Sequence, residues 1–390
     1  MRDFSQPLAK TALRFVVAIG IISLFADFTY EGARSINGQF LASLGASAAA
    51  VGFIAGFGEL VGYGLRSAVG FVTDKTDRYW LAAITGYLIN LFAVPAMALA
   101  GNWQIAAALI VAERTGRAIR KPAVETMLSY AGSHTGQGWA FGLHEALDQT
   151  GATLGPLVMA LVLLLKGNYR TGYAVLLVTA LLAFATVLAA RYYFPKPHDL
   201  EKPAGLEVKG LAHAYYWYML AAGCIAAGFA DFALIGYHFH KTAEVSISLV
   251  PVYYAVAMSV GAVGALVLGR LYDKSHTKTI LGAFLISAGF APLVFLGGSR
   301  LALPGMILWG LGMAAQETLL KPLIAGVIAA SKRATAFGVF DTGFGIAWFL
   351  GSWLMGYLYG RSIHALVVFS VSIQLLALPI FWYTLRAAKH

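Results

Sequence analysis

Charge is scarce in this sequence. Only 12% of its 390 residues are Asp, Glu, Lys or Arg, about half the share of an average soluble domain. With 59% hydrophobic residues and a mean hydropathy of +0.72, the chain cannot cover its apolar surface with water-facing side chains. Lipid must cover it, which makes the protein an integral, multi-pass membrane protein built from helices. Cysteine is limited to Cys224, so an internal disulfide is excluded. There is no Walker lysine loop, no HExxH and no Gly-x-Ser-x-Gly elbow. ATP therefore has no visible site as a driver, no cofactor is implied, and nothing points to an enzyme. Hydrophilic stretches are also rare. The one of any size, FPKPHDLEKPAGLEVKG, carries three prolines and mixed charge.

What charge there is tips the balance to +10, but nucleic acid is not the partner it indicates. The basic residues form no single patch; they punctuate the ends of apolar runs, as cytoplasmic loops of membrane proteins do. Breaks between those runs predict twelve spans. The first six cover about 14–40, 47–71, 79–100, 103–130, 138–165 and 170–194; the second six cover about 213–240, 247–271, 277–298, 302–329, 335–359 and 363–386. The start of the chain places charges ahead of an apolar run, but no small-residue cleavage site follows, so it reads as a retained first helix. Arg2, Lys10, Lys75, Arg78, Lys274, Lys278, Lys332, Arg333, Arg386 and Lys389 fall on one side, and the hydrophilic segment adds Arg191, Lys196, Lys202 and Lys209. The other side has Lys166, Arg170, Lys241, Arg300 and Arg361. Both termini and the segment at 195–212 are thus expected in the cytoplasm.

The chain repeats itself. Ala26-Asp27-Phe28 returns as Ala230-Asp231-Phe232, Lys121-Pro122 as Lys321-Pro322, and Ala140-Phe141-Gly142 as Ala336-Phe337-Gly338. Gly70, Asp74 and Lys75 return as Gly269, Asp273 and Lys274. Residues 1–194 and 213–390 therefore read as two related six-helix bundles joined by the linker at 195–212. A parallel duplication of this kind is one transporter architecture, with its site between the halves near mid-membrane.

Ionisable residues inside the spans mark a functional site by default, because lipid makes them costly. They concentrate between Glu113 and Pro156. Arg114, Arg117 and Arg120 recur every three residues, on one broad face of the fourth span. Arg114 or Arg117 would offer a planar donor fork to a carboxylate of the substrate or of a neighbouring helix, while Arg120 and Lys121 would snorkel to the interface. His144, Glu145 and Asp148 share one side of the fifth span. Burial and charged neighbours pull the proton affinity of such groups in opposite directions, so they either carry a proton or form a static lock, for instance Arg117 with Asp148. Asp27 sits near the middle of the first span and is the strongest single proton-carrier candidate. Glu31 and Arg34 are expected to pair with each other. Glu59 lies deep in the second span and is a further proton-coupling candidate, with Arg66 as a possible partner; Asp231 is a substrate or gate candidate. In the second half, Glu317 falls 200 residues after Arg117 and Asp341 falls 196 after Glu145. Opposite charges at equivalent places could bind a zwitterion or close a gate. His238 and His240 read as interfacial, as do Tyr215 to Tyr218. Phe340, Phe344 and Trp348 read as core or cavity lining. A metal site from Asp27, His144, Glu145 and Asp148 is chemically possible, but the spacing does not require one.

At these residues the chain resembles the major facilitator superfamily of transporters over essentially its whole length. Gly70-Phe-Val-Thr-Asp74-Lys75-Thr-Asp77-Arg78 is similar to the superfamily's loop between its second and third helices, with Asp77 where glycine is usual. Gly269 to Lys278 is a looser second copy. Gly151-Ala-Thr-Leu-Gly155-Pro156 resembles the fifth-helix motif of proton-driven exporters. The resemblance implies a monomeric secondary transporter in a prokaryotic inner membrane. It implies movement of a small organic solute by alternating access, coupled to protons and directed outward. Proton-linked uptake of an organic anion and divalent-metal export are the other transport readings. A membrane enzyme or scaffold ranks below them.

Overall fold

The computed structural model describes residues 5–135, 137–197, 213–327 and 333–387. No strand occurs among the described residues. The chain runs through α1 (Ser5–Ser43), α2 (Ala48–Thr76) and α3 (Tyr79–Ala96), the last extended by a 3-10 turn at Met97–Leu99. Next come α4 (Trp103–Thr135), α5 (Gln137–Lys166) and α6 (Tyr169–Tyr193). The later elements are α7 (His213–Gly228), α8 (Phe232–Thr242), α9 (Leu249–Lys274), α10 (His276–Ser287) and α11 (Phe290–Leu296). The last three are α12 (Gly298–Val327), α13 (Arg333–Arg361) and α14 (Ile363–Ala387). Taking α7 with α8 and α10 with α11, these helices make twelve spans. The 39 residues of α1, at about 1.5 Å each, reach nearly twice the roughly 30 Å of a hydrocarbon core.

Two compact units form: Met1–Ala33 with Leu65–Gly205, and Arg34–Gly64 with Leu206–His390. The end of α1 and most of α2 thus cluster with the second unit. Most of the expected linker, residues 198–212, lies outside the described residues.

In the first unit, Phe15, Ile19, Ile22 and Ala26 form the helical stripe of α1 that packs on Tyr87 and Leu91 of α3 and Met127 of α4. Helices α3 and α4 approach backbone to backbone. A Cβ at Gly86 would overlap the Arg120 backbone, and one at Gly116 would overlap Asn90. Small residues of this kind hold membrane helices together where the hydrophobic effect cannot.

The second unit contains a break that the continuous apolar run at 213–240 does not foretell. Helix α7 stops at Gly228 and α8 begins at Phe232. Side chains satisfy several of the freed groups. The Gly228 carbonyl accepts from Ser370 Oγ at 2.6 Å and from Gln374 Nε2 at 3.1 Å. The Ala230 carbonyl accepts from Trp309 Nε1 at 2.9 Å, and Asp231 caps α8 through the Ala233 amide. Irregular backbone at membrane depth survives only with such partners. Around the break, Trp309, Phe229, Trp348, Phe344 and Phe340 form a buried aromatic chain. Trp309→Phe keeps that packing and leaves the Ala230 carbonyl without its donor. The expected cost is about 1–3 kcal/mol, to be read from the thermal midpoint of the purified protein against Trp353→Phe, whose ring is exposed.

Candidate functional site

The fifth-helix glycines press α5 against α1. A Cβ at Gly151 would overlap the Leu24 carbonyl oxygen, and one at Gly155 would overlap that of Phe28. Leu147 in turn fills the space over Gly20. Contacts climb both helices together, so the two run parallel. A polar rung follows from this close approach: Ser23 Oγ lies 2.7 Å from His144 Nε2. One turn on along each helix, Asp27 and Asp148 line the same cavity.

Helix α4 supplies the cations. Arg120 Nη2 stands 3.6 Å from Asp27 Oδ1, while Arg120 Nη1 donates to the Tyr87 hydroxyl at 3.3 Å. Its guanidinium also lies over the Tyr87 ring, 4.6 Å from the centroid. Arg120 is only 6% exposed and Asp27 only 3%. The expected snorkelling of Arg120 is therefore corrected: the Gly86–Gly116 contact holds α4 so close to α3 that this side chain turns inward. Arg117, expected to pair with Asp148, instead lies over the Tyr30 ring, 4.2 Å from its centroid. Arg114 points elsewhere, its Nε 3.3 Å from Glu113 Oε2. Asn90 donates to Glu113 Oε1 at 2.8 Å.

These groups surround a cavity of about 370 Å³ within the first unit. Ser23 and Asp27 line it from α1; Arg117, Arg120, Lys121 and Glu125 from α4. His144, Glu145 and Asp148 complete it from α5. Glu145 is exposed and accepts from Gln149 at 2.9 Å. Lys121 is 3.8 Å from Glu125. Among the described residues, no three His, Cys, Asp or Glu side chains converge as a metal ion requires.

The other predicted residues lie apart from this cavity. Arg34 stands 3.4 Å from Glu59 and 3.4 Å from Asp231, all three buried in the second unit. Asp231 therefore differs from its sequence counterpart Asp27: it caps a helix and completes an ion triad. Glu317 is exposed and Asp341 partly buried. His238 is not interfacial, being 2% exposed with Nδ1 3.0 Å from the Tyr359 hydroxyl. Tyr218 is likewise buried and donates to the Leu320 carbonyl at 2.7 Å. The side chains of Tyr215, Asp74 and Asp273 lie outside the described residues.

Comparison with known proteins fixes the family. The Major Facilitator Superfamily profile matches residues 19–352. The chain belongs to the Major Facilitator Superfamily. An uncharacterized protein of Mycobacterium tuberculosis is 37% identical over 378 residues, covering 95% of this chain and 92% of the relative. An uncharacterized MFS-type transporter of Methanocaldococcus jannaschii is 23% identical over 357 residues, covering 88% of each. Among solved structures, a nucleoside transporter aligns over 96% of this chain and 99% of its own, with a TM-score of 0.72 at 13% identity. A peptide transporter aligns over 96% and 94%, with a TM-score of 0.74 at 15% identity. The protein is thus a multi-pass membrane transporter with the superfamily's twelve-span fold.

The superfamily's loop motif also acquires a physical form. Gly70 faces Pro122 of α4, and its copy Gly269 faces Thr318 of α12. Lys75 and Lys274 sit in the last turns of α2 and α9, where cations suit the helix dipole. Asp77, standing where the superfamily usually has glycine, has φ +52°. That left-handed conformation explains the usual glycine, and Asp is among the few other residues that tolerate it. Asp77→Val is expected to cost about 1–2 kcal/mol and Asp77→Gly nothing, as thermal midpoints of the two variants will report. The residues that sequence reasoning passed over here are Ser23, Tyr30 and Tyr87. The i, i+4 spacing of Ser23 and Asp27, matched by His144 and Asp148, was the available signal.

Proposed function

We propose that this protein is a secondary active transporter that moves a small organic solute by alternating access, exchanging it outward for protons. The observation that carries this reading is the buried Asp27–Arg120 ion pair at the wall of a solute-sized cavity that Asp148 also lines. A proton on Asp27 is released when Asp27 engages Arg120 more closely, and is taken up again when that ion pair loosens. Glu145, exposed one turn from Asp148, passes protons between water and the two aspartates. Each proton driven across 100 mV supplies about 2.3 kcal/mol. Arg117 and His144 serve the solute, Asp231 and Glu317 serve gates, and Glu59 remains a further proton-coupling candidate. The nucleoside and peptide transporters with the same fold favour a polar organic solute over a metal ion. The bias of loop lysines and arginines to one side supports a cytoplasmic location for both termini, in the inner membrane of a prokaryote, with the chain acting as a monomer of two six-helix halves.

The test uses reconstituted vesicles holding a trapped pH dye and a solute identified by thermal shift. Exchange predicts that the solute, added outside, makes the lumen alkaline as protons leave. Luminal acidification would mean symport instead. Solute entry with no pH change would sink proton coupling altogether.

A further inference from the structure

Three permanent cations line the cavity, and they are not equivalent. Arg120 has Asp27 at 3.6 Å and Lys121 has Glu125 at 3.8 Å. Among the described residues no carboxylate stands within 4 Å of Arg117, and its close partner there is the Tyr30 ring, 4.2 Å from the centroid. Stacking of this kind uses the face of the guanidinium and leaves its edge of N–H donors unspent. That edge matches two oxygens of a carboxylate or phosphate, which a lysine in the same place could not match. A guanidinium kept at membrane depth without an ion pair is costly, and a bound anion would remove the cost.

We infer that Arg117, backed by Tyr30, is the docking point for an anionic oxygen group, so that the transported solute is a small organic acid or phosphate ester. This rests on the transport reading above and narrows its substrate class. The cavity, about 370 Å³, lies within the roughly 300–1,000 Å³ of ordinary small-molecule sites.

The test is a thermal-shift titration of the purified full-length protein at constant ionic strength, so that screening is the same in every sample. Three acids, benzoate, succinate and glucose 6-phosphate, are each compared with an uncharged counterpart: benzamide, succinamide and glucose. At least one acid is expected to stabilise the protein well beyond its counterpart. Arg117→Gln should weaken that acid's apparent Kd at least about tenfold, and Arg117→Lys should recover only part of the loss. If Arg117 were merely structural, Arg117→Gln would lower the ligand-free midpoint and leave the acid-dependent shift in place. The inference is overturned by neutral compounds that match the acids, by an acid shift unchanged in Arg117→Gln, or by no response to any of the three acids. No proton gradient enters this measurement. Its failure therefore leaves proton exchange standing, while lost proton movement with retained acid binding would remove the exchange and keep the anion site.

Discussion

Asp27→Asn is expected to reduce solute-driven proton movement in vesicles to the level of empty liposomes, while solute binding persists. An amide cannot load or release a proton, yet it keeps the size of Asp27 and an oxygen for Arg120, whose guanidinium is 3.6 Å away. The variant also leaves a buried arginine without its carboxylate, and breaking a buried pair costs about 3–5 kcal/mol. Loss of function from unfolding must therefore be separated from loss of the proton. Asp148→Asn does this. It removes the second aspartate of the cavity, leaves the Asp27–Arg120 contact in place, and should fail in the same assay with little change in thermal midpoint. Proton movement retained in both variants would remove the pair from the mechanism.

The second large effect is steric. In Gly151→Ala, the added Cβ meets the Leu24 carbonyl oxygen, a backbone atom that no side-chain rotation can move aside. Helix α5 must retreat from α1, which opens the rung from Ser23 to His144, now 2.7 Å, and draws Asp148 away from Asp27. Overpacking of a tight interface costs about 1–3 kcal/mol, and transport should fall with the rung even where the protein still folds. Gly64→Ala in α2 is the matched control, because nothing lies within 4 Å of its Cβ position. Alanine there should be neutral or raise the midpoint by up to about 1 kcal/mol through helix propensity. Equal transport by both glycine variants would show that the close α1–α5 approach does not matter.

The parts of this architecture set by composition were legible in the sequence. Apolar length fixed the twelve spans, and the density of charge between Glu113 and Pro156 pointed to α4 and α5. Asp27, Arg117, His144, Glu145 and Asp148 do line one cavity, because spacing along a helix decides which side chains share a face. Pairing between helices was not legible. Arg117 and Arg120 are one turn apart on the same face, and only the depth of the Gly86–Gly116 contact decides that Arg120 meets Asp27. The repeat misled for a similar reason. Asp27 and Asp231 occupy matching positions, yet Asp231 caps α8 because the chain unwinds just before it. That break has no proline to announce it; its partners Ser370, Gln374 and Trp309 come from distant spans.

The most direct test of Asp27 as proton carrier needs no knowledge of the solute. Infrared difference spectra of the purified protein, recorded through a pH titration, resolve the carbonyl stretch of a carboxyl as it takes up a proton. A band lost in Asp27→Asn but kept in Glu145→Gln is expected. A wild-type titration with no such band, or a set of bands unchanged in Asp27→Asn, would contradict the account.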